Sequence, residues 1–244
     1  MEGTNCEDEA FRAFLSTGFL PEYVHINELD RGTKKLENYS AIFIPGGFSG
    51  GDYIRAGALF SARLRRHFRS ILNFVDSRKP VIGVCNGFQV LAELGILPDS
   101  GGNQEREIAL SINQSGRFEC RDTYLRVERD QKLLESVFRK GDVALSTVAH
   151  SEGRVVFRDH DTMDEIAGKG LAILRYTDDS GKPAGYPWNP NGSAEDIAGV
   201  MNPEGNVIGL MPHPERKIMA GIPHVGKVFG LDFFRAINNY LKSN

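Results

Sequence analysis

The chain has 244 residues, 41% hydrophobic and 25% charged, which suits a single domain with a substantial buried core. No run approaches the ~20 apolar residues of a membrane helix, and the acidic, polar start MEGTNCEDEAF is unlike a secretory leader, so a cytoplasmic protein is expected. With 29 basic against 32 acidic residues and a net charge of -3, no broad positive field exists to hold nucleic acid; three cysteines without paired spacing suggest neither a disulfide framework nor a zinc site.

In chain order, Thr4 to Glu7 has the spacing of a capping box and predicts a helix that opens almost at once, with Cys6 as an incidental residue inside it. Open α/β sheets ordinarily begin with a buried strand, so the first strand is expected to be missing from this sequence. An in-frame upstream extension is expected to carry an apolar segment of about six residues and to raise the melting temperature. Tyr39 to Ile44 reads as a buried strand feeding the turn Pro45-Gly46-Gly47, and Pro80 to Val84 as a second strand ending at Cys85. Between them, Ser61 to Val75 has helical spacing, and its arginines 63, 65, 66 and 69 suit a solvated face. The run FQVLAELG after Cys85 predicts a helix stopped at Gly95.

From Asp99 to about Val148 shorter alternating segments predict antiparallel strands added to the sheet edge, with Cys120 as a packing residue. Lys182 to Ser193 reads as a surface loop, Asn206 to Met211 as a buried strand and Val228 to Leu241 as an amphipathic closing helix. Strands alternating with helices make the fold class α/β, with no internal repeat and no linker between domains.

Gly83-Val84-Cys85-Asn86-Gly87 has the form of a nucleophile elbow with Cys in place of Ser. The glycines permit a sharp turn, and the following helix N-terminus favours a thiolate. The same five residues also fit a buried, inert cysteine in a tight turn. A thiol that performs acyl transfer needs a base held by a third group. His213 follows the run NVIGLM, and in an extended Pro212-His213-Pro214-Glu215 segment the Glu215 carboxylate would orient the imidazole. The alternative is a proline-stiffened surface turn. Backbone N–H groups of Gly47 and Asn86 are candidates for an oxyanion hole.

Together PGGFSGGDY (45–53), GVCNGFQ (83–89) and PHPER (212–216) resemble the triad class of glutamine amidotransferases, class I. More narrowly, GTNCEDEAF, CNGFQ, NQSGRFECR (113–121), VAHSEG (148–153) and NPNGSAEDIAG (189–199) resemble the glutaminase subunits of phosphoribosylformylglycinamidine synthases, along almost the whole chain. The resemblance implies one amidotransferase domain over 1–244 with a flavodoxin-like, mostly parallel sheet covered by helices on both faces. It implies a Cys85, His213 and Glu215 triad, an oxyanion hole from Gly47 and Asn86, and glutamine contacts from Gln89, Phe48 and His150. It also implies no cofactor or metal on this chain. ATP and magnesium would be used by a partner synthetase subunit, accompanied by a small accessory subunit. An amidotransferase serving another synthetase, a cysteine peptidase or deglycase, and a binding subunit without catalysis are the competing readings.

Overall fold

The computed structural model describes residue 1 and residues 3–51, 57–218 and 226–243; the end of the PGGFSGGDY motif, 52–53, lies outside them. In chain order the elements are α1 (Glu7–Ser16), α2 (Ile26–Asp30), β1 (Ile42–Ile44), α3 (Ala58–Leu64), α4 (Phe68–Asp76), β2 (Val81–Val84) and α5 (Asn86–Glu93). They continue with β3 (Ile108–Ile112), β4 (Glu119–Val127), β5 (Val143–His150), β6 (Glu152–Phe157), α6 (His160–Gly168) and β7 (Ala172–Thr177). The chain closes with β8 (Ile197–Met201), β9 (Val207–Leu210), β10 (Lys227–Val228) and α7 (Leu231–Ser243).

Eight described strands form one sheet in the order β1-β2-β9-β8-β7-β4-β5-β10, and β3 pairs with β6 in a separate ribbon. The α/β class expected from the alternation of strands and helices is what the structure shows. β1, β2 and β9 are parallel neighbours, with Ile44 opposite Gly83 and Gly83 opposite Gly209. From β8 onward the pairing through β7, β4 and β5 is antiparallel, so the alternating middle segments extend the sheet. Parallel strands buried on both faces must be apolar throughout, and Val81–Val84 and Val207–Leu210 are buried at every position. Phe43 of β1 meets Phe14 of α1 at 5.4 Å and Phe234 of α7 at 6.3 Å between ring centroids, which fixes those helices over one face. Among the described residues β1 is the edge strand on that side, and none precedes α1.

Three local expectations are corrected. The segment Ser61 to Val75 is not one helix, because α3 and α4 are separated by a 3₁₀ turn at Arg65–His67. Thr4 does not cap α1: Cys6 occupies the cap position in a left-handed conformation (φ 62°), while Thr4 bridges to Gly47. Tertiary pairing with the Gly46–Phe48 turn has displaced the local capping pattern. The segment 182–193 is a surface loop only in its first half; Asn189, Asn191 and Ser193 are buried.

The β2–β9 pair is tied to α4 by one buried amide. Asn206 Nδ2 donates to the carbonyls of Val75 (2.8 Å) and Lys79 (3.0 Å), and its Oδ1 accepts from Asn202 Nδ2. Removing such a donor leaves buried acceptors unsatisfied, at roughly 1–3 kcal/mol each. Asn206→Ala is therefore expected to lower the urea unfolding free energy by roughly 2–3 kcal/mol, and a loss under about 0.5 kcal/mol would show that water replaces the amide.

Candidate active site

Cys85 sits between β2 and α5 with φ 51° and ψ −106°, a conformation in which an L-residue is strained by about 1–3 kcal/mol. Its N–H donates to Leu210 O (2.8 Å), extending the β2–β9 ladder to Cys85 itself. The glycines around it are dictated by contact. A Cβ on Gly87 would lie 2.0 Å from Ile44 O, and one on Gly83 would lie 2.6 Å from the Gly87 carbonyl. Helix α5 can therefore approach the sheet only with both side chains absent. The Cys85 Sγ is buried, with the Ala149 carbonyl at 3.8 Å.

His213 follows β9 directly and is 1% exposed. Its N–H donates to Thr147 O (2.7 Å), and Nδ1 donates to Glu215 Oε1 at 2.5 Å. The two side chains meet through a 3₁₀ turn at Pro214–Lys217, not through the extended segment that the prolines suggested. Burial is the largest influence on His213 and disfavours its cation. Glu215, Cys85 and Cys6 together outweigh it, and the imidazole is held well above its ordinary pKa. His213 Nε2 and Glu215 Oε2 are buried and without a hydrogen-bond partner. A Cβ on Gly46 would meet His213 Cε1 at 2.7 Å and Cys85 Cβ at 3.3 Å, so the first turn lies against both groups.

The segment 3–6 organises that turn. Asn5 N–H donates to Gly46 O and Phe48 N–H to Gly3 O, each at 2.7 Å, and neither bond uses the Gly47 N–H. Gly47 adopts φ 126° and has no space for a side chain beside Gly3 O and Asn5 N. Asn86 heads α5; its Oδ1 accepts from Ser49 Oγ (2.6 Å) and its Nδ2 donates to Gln89 Oε1 (2.9 Å). Gln89 Nε2 then donates to Glu152 O (2.7 Å), so the elbow helix is bonded to the far wall of the site.

A cavity of about 90 Å³ brings together Gly47, Phe48, Cys85, Gln89, His150 and His213. Of the residues singled out in the sequence, Asn86 and Glu215 stand behind this wall and do not line it. Phe48 is 43% exposed and faces Phe118, their centroids 6.4 Å apart, at the rim. His150 is buried, and burial, followed by the charge of His213, lowers its pKa to about 3. Cys120 is exposed, contrary to the packing role expected of it, because it lies on the outward face of β4.

Sequence reasoning passed over Cys6 and Arg216. Arg216 Nε and Nη2 donate to Cys6 Sγ at 3.3 and 3.1 Å, linking the start of α1 to the turn that carries the histidine. Cys6, His213 and Glu215 place ligand-type atoms within 4.8 Å of one another, but the Arg216 guanidinium beside the sulfur opposes a cation there. Residues 6 and 216 lie 210 positions apart, and no local sequence pattern joins them before the chain folds.

The CobB/CobQ-like glutamine amidotransferase domain family matches this chain over residues 1–225. A phosphoribosylformylglycinamidine synthase subunit PurQ of Picrophilus torridus is 54% identical, over 88% of this chain and 84% of that protein. The protein of the same name from Archaeoglobus fulgidus is 43% identical, over 99% and 95% of the two chains. Among solved structures, a chain of PurLQS from Thermotoga maritima superposes with a TM-score of 0.75 at 36% identity, covering 98% of this chain and 94% of that one. Among the described residues no helix is long and apolar enough to cross a membrane.

The Gly46 contact can be tested without altering a reacting group. Gly46→Ala should displace the His213 ring, whose far end can yield, while leaving the melting temperature within a few degrees. Alkylation of Cys85 by iodoacetamide, followed by peptide mass spectrometry at pH 7, should slow about tenfold or more, since small misplacements of paired groups carry costs of that order. Alkylation at the parent rate would show that the ring does not govern the thiol.

Proposed function

This chain belongs to the CobB/CobQ-like glutamine amidotransferase domain family, and we propose that it is the glutaminase subunit of a phosphoribosylformylglycinamidine synthase, supplying ammonia for purine biosynthesis. The observation that carries this reading is the meeting, in one cavity, of a strained elbow cysteine with a buried histidine whose Nδ1 is committed to a carboxylate. We assign the whole chain, 1–244, to one amidotransferase domain.

The chemistry follows from the placement of each group. The Cys85 thiol gives its proton to His213 Nε2 as the sulfur adds to the carboxamide carbon of glutamine, and the developing oxyanion is held by the backbone N–H groups of Gly47 and Asn86. The C–N bond then breaks as protonated His213 gives its Nε2 hydrogen to the departing nitrogen, releasing ammonia and leaving a glutamyl thioester. Neutral His213 next takes a proton from water, whose oxygen attacks the thioester; the C–S bond breaks, glutamate leaves, and His213 returns the proton to the Cys85 sulfur. Glu215 keeps Nδ1 as the donor throughout, so Nε2 alone exchanges protons. Gln89, Phe48 and His150 surround the substrate.

The half-reaction balances without a metal or organic cofactor on this chain. ATP and magnesium are assigned to the partner synthetase subunit, with a small accessory subunit as a further partner. The likeness to a chain of the assembly named PurLQS supports this arrangement. Glutamine is the substrate, and the ammonia passes to the synthetase.

Cys85→Ser is expected to abolish glutamate release, because a serine hydroxyl ionises too weakly to be activated equally here. Synthesis by the complex should persist with added ammonium chloride; parental glutamate release by the variant would remove Cys85 as nucleophile. His213→Ala should be nearly as damaging and Glu215→Gln milder, with the double variant Cys85→Ser/His213→Ala no worse than Cys85→Ser, since groups acting as a unit lose function together. Full additivity of the losses in glutamate release would sink the coupled triad.

A further inference from the structure

Apart from His150, three segments have no role in the chemistry above: Asn113 to Arg121, Val148 to Gly153, and Asn189 to Gly199. The fold brings them into one buried polar network. Its centre is 150–153, where β5 passes into β6 through Ser151, and His150 and Glu152 there line the cavity with Cys85. Asn113 N–H donates to Ser151 O (2.9 Å), and Asn113 Nδ2 donates to His150 O (2.8 Å) and Arg117 O (2.9 Å). From the other side Asn191 Nδ2 donates to Gly153 O (2.7 Å), and Ser193 Oγ accepts from Val155 N–H (3.0 Å). Gln114 N–H donates to Asn191 O (2.9 Å), joining the two supports to each other. Asn113 and Asn191 are 2% and 0% exposed, so water does not compete for these bonds.

The same bonds determine a hydrogen position. Both hydrogens of the Asn113 amide are directed at carbonyls, so its Oδ1 is the atom that faces His150 Nδ1, at 3.1 Å. An amide oxygen only accepts; Nδ1 must therefore carry the hydrogen, and Nε2 holds the lone pair. That Nε2 is buried and without a partner. Burial also keeps the ring neutral, with its pKa lowered to about 3.

We infer that Asn113 and Asn191 are positioning residues for glutamine: together they set the 150–153 wall, and Asn113 presents His150 with its hydrogen on Nδ1. Nε2 is then an acceptor, and the ligand chemistry that completes it is an N–H donor, which the amino and amide groups of glutamine supply. The inference rests on the glutaminase reading, and only through the identity of the ligand.

The test uses the full chain with its synthetase partner. Asn113→Asp and Asn191→Asp keep shape and remove the donating NH2. Each is expected to raise KM for glutamine about tenfold, the equivalent of one lost hydrogen bond of ~1.4 kcal/mol, with kcat within about twofold. A role in folding alone would lower the melting temperature and the active fraction yet leave the KM of the folded protein unchanged; that outcome overturns the inference. If either aspartate variant fails to fold, Ser193→Ala, which removes the acceptor of the Val155 N–H and the longer donor contact to Gly153 O (3.4 Å), should raise KM about threefold, and an unchanged KM again counts against it. Independently, nitrogen-15 NMR of histidine-labelled parent protein, assigned with His150→Gln, should show the His150 hydrogen on Nδ1. A hydrogen on Nε2 would refute the arrangement whatever the kinetics, whereas failure of the parent complex to hydrolyse glutamine would strike the glutaminase reading and leave the tautomer standing.

Discussion

The rest of the site depends on the close approach of α5 to the sheet beneath it. That approach is possible because Gly83 and Gly87 bring no side chains, and it holds Cys85 in a backbone conformation that the residue would not adopt alone. The strain is sustained because the ladder from β2 to β9 continues through the Cys85 N–H to Leu210 O. Parallel neighbours also end at the same edge of the sheet. The loops after β1, β2 and β9 therefore deliver Gly46–Gly47, Cys85 and His213 to one place, as open α/β sheets do at the carboxyl ends of their strands.

The two buried histidines of the cavity illustrate how position decides chemistry. Both lose hydration, which on its own disfavours a charged ring. His213 has Glu215 on Nδ1 and the Cys85 sulfur nearby, and its cation is favoured; His150 has a neutral amide on Nδ1 and His213 as a neighbour, and its cation is suppressed. One ring is suited to carry a proton and the other only to accept a hydrogen bond. Opposite environments for like side chains are a general means of dividing roles within one site.

What was legible in the sequence follows the range of the interactions involved. The elbow was readable because its glycines are required by contacts that recur wherever a strand turns sharply into a helix, and the strands around it because full burial demands unbroken apolar runs. His213 and Glu215 were readable as a pair although the local geometry was not: two prolines were compatible with an extended path, and the chain instead forms a 3₁₀ turn. Thr4 shows the limit in the other direction, since a valid local capping pattern gave way to pairing with Gly47. The Cys6–Arg216 contact, the burial of Asn191 and the break at Arg65–His67 depend on segments far apart in the chain, and no local period encodes them.

The order of strands also bears on how the protein comes into being. Residues 81–84 pair with residues 207–210, and the ladder that holds the elbow exists only after the later strand has been synthesised. Pairings of such separation form late, because the intervening chain must be ordered first. During vectorial synthesis from the ribosome, the thiol at position 85 therefore emerges long before the backbone that constrains it or the buried imidazole of residue 213. A nascent or truncated chain ending before β9 carries Cys85 without the ladder that fixes its backbone and without His213 beside it, and both arrive together with completion of the parallel sheet.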